Sequence, residues 1–539
     1  MRRATRVLVL IGFVALLNLP GGCNKVDLAV NVSPNAVPAR EPVADDAITA
    51  HDAIAANRDF AVDLYHQLAK EHAGRNLFFS PYSVSSALAI AVEGARGETA
   101  AQMGNVLRFT DAARQVGTGA ESIPWNTELI HSGMATLNQR FGPKPIPEEL
   151  RDQIATLRKN LNDSNQQVAE LEKATKRREA FQASEKGKKL AAELNAILSR
   201  VDQYEIRVAN ALWGEETYPF EPSYLETIRR FYGNGAVFPV DFKDHAESAR
   251  QQINAWVAEQ TNARIRDLIP PGGVDSLTRL VLTNAIYFKG EWMIPFPERS
   301  TRKDDFTIAG GAKVQVLMMH EDYKHDVRYA AFNANGTFFP TPKEVPDRRV
   351  PDPKTVYPDK NGFLMLELPY KGRELSMVAI VPQNADGLAE LEQKLSSDDL
   401  QKWMSELQHR DAHVDLPKFK LETEYTLKPT LIAMGMSRAF DNRVSPNEAQ
   451  FEGMCASQDS EQQLSITEVM HKAFVEVNEK GTEAAAATEL SMGVSDGSFE
   501  EPTIPFTPIF RADKPFLFLI REIKTGTILF FGRIIRPQE

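Results

Sequence analysis

The chain has 539 residues, 42% of them hydrophobic, which exceeds the needs of one small domain and is ample for a large packed core. Its 62 Lys and Arg stand against 73 Asp and Glu, a net charge of −11, so no basic excess is available to neutralise phosphates and nucleic acid is disfavoured as a partner. The two cysteines, Cys23 and Cys455, exclude a disulfide scaffold and an all-cysteine zinc site, which leaves packing to supply stability.

Residues 1–22 read as an export signal. Arg2, Arg3 and Arg6 precede an apolar run over 7–17 that is too short to span a bilayer as a helix, and Asn18 and Pro20 end it. Cys23 follows Gly21 and Gly22 in a setting that resembles the bacterial lipobox, in which the cysteine is acylated and becomes the mature N-terminus. The expectation is a lipoprotein of the bacterial cell envelope, touching the membrane only through that anchor; without acylation the protein is simply secreted. From Cys23 to residue 50 the chain is rich in Pro, Val, Ala and Asp, with no helical or strand period, and reads as an extended tether.

Residues 51–539 read as one domain. An apolar period of 3.6 predicts helices over 51–73, 84–92 and 249–260. Strand-like runs follow at 206–213, 279–288, 363–369, 375–381, 473–477, 516–520 and 528–531. Helices come mostly first and strands mostly last, without strict alternation, which predicts an α+β fold with a largely antiparallel sheet. Two stretches look inserted. Residues 140–200 carry a heptad stripe (Ile154, Leu157, Leu161, Val168, Leu171) with a gap at Ser164, then a break near 183–187 and a second stripe from Leu190, which suits a helical hairpin with a charged exterior. Residues 332–361 hold six prolines and read as a mobile surface loop.

Enzymatic constellations are missing from the sequence. It contains no G-x-S-x-G, no phosphate-binding G-x-x-x-x-G-K-[ST], no C-x-x-C and no H-E-x-x-H. The run His320-Glu321-Asp322-Tyr323-Lys324-His325 places its histidines off one helical face and reads as a surface turn rather than a metal site. No cofactor or metal is expected, and the protein is not read as an enzyme.

The informative segment lies near the C-terminus. From Thr482, alternate residues are Thr482, Ala484, Ala486, Thr488, Leu490 and Met492, interleaved with Glu483, Ala485, Ala487, Glu489 and Ser491, the period of a strand with one buried face. Four consecutive alanines are nonetheless poor strand formers, and Gly481 gives the chain a pivot in front of them. A segment patterned for a sheet but built of small side chains can stay outside it and enter later between existing strands. The flexible run 493–498 and then Pro502, Pro505 and Pro508 follow, so 479–512 reads as a bait loop joined to a latent strand.

With this loop in view, the chain resembles a serpin. The motifs are Asn76-Leu77-Phe78-Phe79-Ser80-Pro81-Tyr82-Ser83 followed by residues 94–99, Asn210-Ala211-Leu212-Trp213, the run 283–292 ending in Glu291-Trp292, Leu368-Pro369-Tyr370, Pro417-Lys418-Phe419, His471-Lys472-Ala473, Asp513-Lys514-Pro515-Phe516 and Phe531-Gly532-Arg533-Ile534. The match runs from about 52 to 536, in order, interrupted by the two inserts. It implies a three-sheet α+β domain, metastable, monomeric, with a reactive loop held outside the main sheet. It further implies irreversible suicide-substrate inhibition of a serine, or alternatively a cysteine, protease: the protease attacks the loop, an acyl-enzyme forms, and residues 482–492 insert as a new strand before deacylation. Fourteen residues, 482–495, at ~3.3 Å each would carry the tethered protease ~46 Å.

Roles follow from the same resemblance. Glu479 matches the hinge acid, with Lys418 as its partner. Gly481 is the pivot, and Thr482, Ala484, Ala485, Ala486, Ala487 and Thr488 form the permissive hinge. Ser80, Ser83, Asn284 and His471 match the hydrogen-bonding cluster at the middle of the sheet, the shutter, and Trp292 the aromatic at its top, the breach. Family spacing from Gly481 places the scissile bond at Ser495-Asp496, with Val494-Ser495 as the alternative; the stretch from Ser495 to Pro515 is longer than the family norm. Small neutral residues there suit an elastase-like or broad-specificity protease, whereas Met492 would suit a chymotrypsin-like one. No Lys or Arg lies between Lys480 and Arg511, which disfavours trypsin-like targets. The alternative function is a non-inhibitory serpin, a carrier, chaperone or protease substrate.

Overall fold

The computed structural model describes residues 47–115, 123–141, 204–233, 236–346, 353–442, 448–455, 464–482 and 503–537, with isolated positions between 150 and 193. Cys23, the signal and most of the tether fall outside the described residues. In chain order the elements are α1 (Ala47–Glu71), β1 (Leu77–Phe79), α2 (Pro81–Gly94), α3 (Gly97–Val106), α4 (Thr127–Phe141), β2 (Tyr204–Glu215), α5 (Pro222–Tyr232), β3 (Val237–Val240), α6 (Phe242–Gln260) and β4 (Leu280–Glu291). There follow β5 (Arg302–Thr307), β6 (Lys313–Phe332), β7 (Phe338–Phe339), β8 (Glu344–Pro346), α7 (Pro353–Val356), β9 (Phe363–Pro369), β10 (Leu375–Pro382), α8 (Leu388–Lys394), α9 (Ser397–Ser405) and β11 (Gln408–Pro417). The chain ends with β12 (Phe419–Thr426), α10 (Lys428–Ala433), β13 (Glu468–Val477), β14 (Gly481–Thr482), β15 (Thr503–Pro505), β16 (Ile509–Arg511), β17 (Phe516–Glu522) and β18 (Ile528–Ile534).

These strands make three sheets in a mixed α+β domain. The largest runs β1-β18-β17-β10-β9-β6-β11-β16, with β5 and β7 also paired to β6. The second, here the main sheet, runs β12-β13-β4-β2-β3 and takes β14 against β4; the third is the pair β15-β8. Most pairs are antiparallel, but β13 with β4, β2 with β3 and β11 with β16 are parallel.

The main sheet is apolar on both faces, so it is covered on both. Ile286 and Phe288 of β4, Val475 of β13 and Phe419 of β12 pack against Phe78, Phe518 and Phe530 of the larger sheet. Phe78 stacks on Phe530 at 5.1 Å and on Phe518 at 5.8 Å. On the opposite face, Phe242, Ile253 and Val257 of α6 cover Ala285, Tyr287 and Phe474. Helix α2 is buried all round because its faces carry Ser, Ala, Leu, Ile and Val with no charge before Glu93. Ser80 starts it as a true N-cap, accepting the Ser83 N–H at 3.1 Å ahead of Pro81 at the first helical position.

Two expectations require correction. The Pro-rich stretch 332–361 is more than a mobile loop, since it opens on buried Phe332, carries β7, β8 and α7, and buries Val345 and Val356. Nor is 320–325 a turn: it lies within β6, with Tyr323 buried, and two of its polar residues have partners on β11, where Asp415 accepts from His320 at 2.5 Å and Asp322 pairs with His413. Those cross-strand partners lie about ninety residues away, so the local sequence shows only a charged run.

Candidate functional site

The main sheet has a seam between β13 and β4. Their parallel ladder runs from Glu468 opposite Val281 to Phe474 opposite Tyr287 and stops there. Above it the chain leaves β13 at Val477, turns through Asn478 and Gly481, whose backbones exchange hydrogen bonds of 2.9 and 3.2 Å, and comes back as β14. β14 pairs antiparallel to β4, Gly481 opposite Glu291 and Thr482 opposite Gly290. The first residues of the latent strand therefore already stand beside β4 at the top of the seam.

Glycine is required at the pivot. Gly481 has φ +145°, and a Cβ there would lie 2.2 Å from Gly290 O and 2.6 Å from Glu291 Cα. Thr482 is fully buried, with its hydroxyl 3.0 Å from the Tyr370 hydroxyl. Tyr370 stacks on Trp292 at 4.7 Å, and the Trp292 indole donates to Asn478 O at 3.0 Å. Trp292 N–H bonds Lys480 O at 3.0 Å and Phe296 N–H bonds Glu479 O at 2.8 Å, so the breach grips the backbone of the hinge as well. The Tyr370 phenol, buried beneath this stack, is pushed above its ordinary pKa by desolvation.

The hinge acid and its partner meet. Lys418 Nζ lies 3.0 Å from Glu479 Oε2, with both side chains largely out of solvent. Burial alone would raise the Glu479 carboxyl; hydrogen bonds from its own backbone, Lys418 and Thr301 hold it below the ordinary carboxylate value. Lys418 is the residue between β11 and β12, which ties the hinge to the edge of the larger sheet.

Lower on the seam sits the polar cluster. His471 on β13 is opposite Asn284 on β4. The Ser80 N–H donates to His471 Nε2 at 3.1 Å, and His471 Nδ1 donates to Asn284 Oδ1, which fixes the neutral tautomer. Complete burial holds this imidazole at a pKa of about 3. Asn284 Nδ2 donates to Ser83 Oγ at 2.6 Å and to Asn210 Oδ1 at 2.5 Å, Ser83 Oγ donates to Asn210 Oδ1 at 2.9 Å, and Ser80 Oγ donates to Leu529 O at 2.6 Å. One network thus joins β2, β4 and β13 to the start of α2 and to β18.

Of the residues singled out from the sequence, Ser80, Ser83, Asn284 and His471 form this cluster, and Trp292, Glu479, Gly481, Thr482 and Lys418 assemble at the hinge. Ala484, Ala485, Ala486, Ala487, Thr488, Val494, Ser495 and Asp496 lie outside the described residues. Two participants escaped the sequence reading. Asn210 stands in a quoted motif, and its signal was a polar side chain in the middle of an apolar strand. Tyr370 likewise stands in the quoted Leu368-Pro369-Tyr370, but its role is not legible there, because its stacking and hydroxyl partners are 78 and 112 positions away.

Comparison with known proteins agrees with this geometry. A family model described as serpin (serine protease inhibitor) matches residues 55–340 and 349–537. Serpin B10 from Papio anubis is 34% identical over 485 residues, spanning 89% of this chain and 98% of that protein. Leukocyte elastase inhibitor from Xenopus tropicalis is 34% identical over 484 residues, with 89% and 97% covered. Among solved structures, uncleaved ovalbumin aligns with a TM-score of 0.63 at 26% identity over 90% of this chain and 100% of that one. Human thyroxine-binding globulin, complexed with its hormone, has a TM-score of 0.63 at 24% identity over 91% and 100%, a likeness of fold. The chain belongs to the serpin family.

Proposed function

We propose that this serpin is an irreversible inhibitor of an elastase-like or broad-specificity serine protease, consumed as it acts. The observation that carries the reading is β14: Gly481 and Thr482 are paired with β4 where the β13–β4 ladder stops, and at the alternate positions that would face the core only Ala484 and Ala486 stand between Thr482 and Thr488.

Continuing that register gives the product of insertion. Ala484 falls opposite Phe288, Ala486 opposite Ile286 and Thr488 opposite Asn284, on the face of β4 that looks into the inter-sheet core. Advance requires β13 to part from β4, breaking the backbone ladder and, among the described residues, one side-chain hydrogen bond between them, His471 to Asn284. Thr488 then reaches the level of that pair, where its hydroxyl can bond the groups that parting exposes. Each new antiparallel residue adds backbone hydrogen bonds inside a sheet, worth ~1 kcal/mol net apiece, so a strand of some ten residues supplies a driving force of ~10 kcal/mol. Cleavage releases the chain to make this move, and a protease held as an ester at the cut end travels with it. Switches of this class exchange a strained loop for a strand.

Mixing the purified protein with a panel of serine proteases tests the reading. An SDS-stable adduct with an elastase-like enzyme is the predicted outcome. Loop cleavage without adduct, across the panel, contradicts it and points to a substrate or carrier.

A further inference from the structure

The segment between the two family-matched stretches, 341–348, contains β8, and β8 is bound to the far end of the reactive loop. Thr503 pairs with Pro346, Ile504 with Val345 and Pro505 with Glu344. The contact extends beyond the ladder. Phe506 N–H donates to Lys343 O at 2.8 Å, and the Phe506 ring meets Tyr357 edge-on at 6.0 Å. Arg410, projecting from β11, donates to Thr341 O at 2.8 Å, to Phe506 O at 3.2 Å and to Pro342 O, so one guanidinium ties the insert and the loop's stalk to the larger sheet. Tyr357 Oη accepts the Ile509 N–H at 3.0 Å where β16 begins. The long insert and the long loop end, which look unrelated in sequence, are thus one construction.

Its position relative to the hinge decides what it does. β11 carries β16 at residues 413–415, and three residues further along Lys418 holds Glu479, so stalk and hinge lie at the same end of the molecule. An uncut loop could enter the seam only if the chain ran down beside β4 and returned to the stalk. By the β14 register, Met492 would face Leu280 at the foot of β4, a descent of ten steps or ~33 Å. With β15 held, eleven steps remain from Met492 to Thr503, an extended reach of ~37 Å, whereas returning and crossing to a neighbouring sheet needs the descent again plus at least the ~10 Å between packed sheets. With β15 released, the first fixed residue becomes Ile509, seventeen steps away and ~58 Å in reach, which suffices. The pair β8-β15 is short and carries a proline in each strand, so it can open.

Resting on the inhibitor reading, we propose that the insert, through β8 and Tyr357 and together with Arg410 of β11, is a clamp on the stalk 503–509 that blocks insertion of the uncut loop and leaves insertion after cleavage free. Cleavage disconnects 482–492 from the stalk, so the clamp does not oppose trapping. Arg410 and Tyr357 are positioning residues: they act on the loop through the backbone they hold.

The test uses the full chain in two opposite forms. Arg410→Ala with Tyr357→Phe opens the clamp, and Val345→Cys with Ile504→Cys, facing one another across the pair, closes it covalently when oxidised. Uncut protein is incubated at 37 °C and assayed over time for the fraction that has become urea-resistant while intact on SDS gels; adduct formation by fresh protein is measured in parallel. The opened form should accumulate the resistant species about fivefold faster than wild type and the oxidised form about fivefold slower, with reduction restoring the wild-type rate. Fresh adduct yield should be unchanged in both. Equal rates in all three proteins overturn the clamp, as does an oxidised form that converts as fast as the reduced one. Absence of adduct in every protein, wild type included, overturns the inhibitor reading instead, and the urea assay still decides the clamp. General destabilisation by the opening substitutions cannot produce the opposite effect of the lock.

Discussion

Thr482 is the residue on which the switch turns. Its side chain is fully buried under Tyr370 and Trp292, and it is the first residue of the loop on the core side of β4. Thr482→Arg would place a charge at that point, at a cost of several kcal/mol, and would slow insertion below the rate at which the protease hydrolyses its own acyl bond. The variant should therefore be cut at the loop with at least a tenfold fall in adduct per cleavage, measured by densitometry of adduct and cleaved bands. Undiminished adduct would show that insertion does not pass through this position. That Thr482 and Gly481 matter was legible in the sequence, because a glycine followed by small residues at alternate positions is unusual for a strand. That they are already seated was not: a two-residue strand has no periodicity, and its seating depends on Gly290 and Tyr370, more than a hundred residues upstream.

At the scale of elements, the seam between β13 and β4 is held by its backbone ladder and, among the described residues, by one side-chain hydrogen bond, His471 to Asn284. The native imidazole titrates at about 3, against an ordinary unfolded value of ~6.5. Between those values the unfolded chain binds a proton that the native one does not, so stability contributed by this group is present above pH 6.5 and is lost as pH falls toward 3. At pH 5 the loss is about 2 kcal/mol. Urea unfolding at pH 7 and pH 5 should show that acid penalty in the wild type and a penalty smaller by about that amount in His471→Gln, which can donate and accept without titrating. Equal pH dependence in the two proteins would exclude His471 as the acid-sensitive link. The strands flanking this seam were well marked by runs of Val, Ile, Phe and Leu, and the predicted strand over 363–369 coincides with β9. β8 and β15 were hidden for the converse reason. Each carries proline, which reads locally as loop, and each is a strand only because the other lies beside it.

For the whole molecule, the reading rests on one geometric relation: a seam in the main sheet, a loop whose first two residues have entered it, and a register that leads the remainder to Asn284. The three-sheet α+β architecture was foreseeable from the order of helical and strand-like runs together with the motif resemblance. The connection between the insert after β6 and the stalk before β16 was not, since about 160 residues separate β8 from β15. Determining the structure of the protein after loop cleavage tests the relation most directly. The account predicts a continuous strand over 482–492 between β13 and β4, antiparallel to both, with Thr488 opposite Asn284 and the β8-β15 pair still closed. A cleaved protein that retains the ladder from Glu468 opposite Val281 to Phe474 opposite Tyr287, with residues 483–492 outside the sheet, would contradict it.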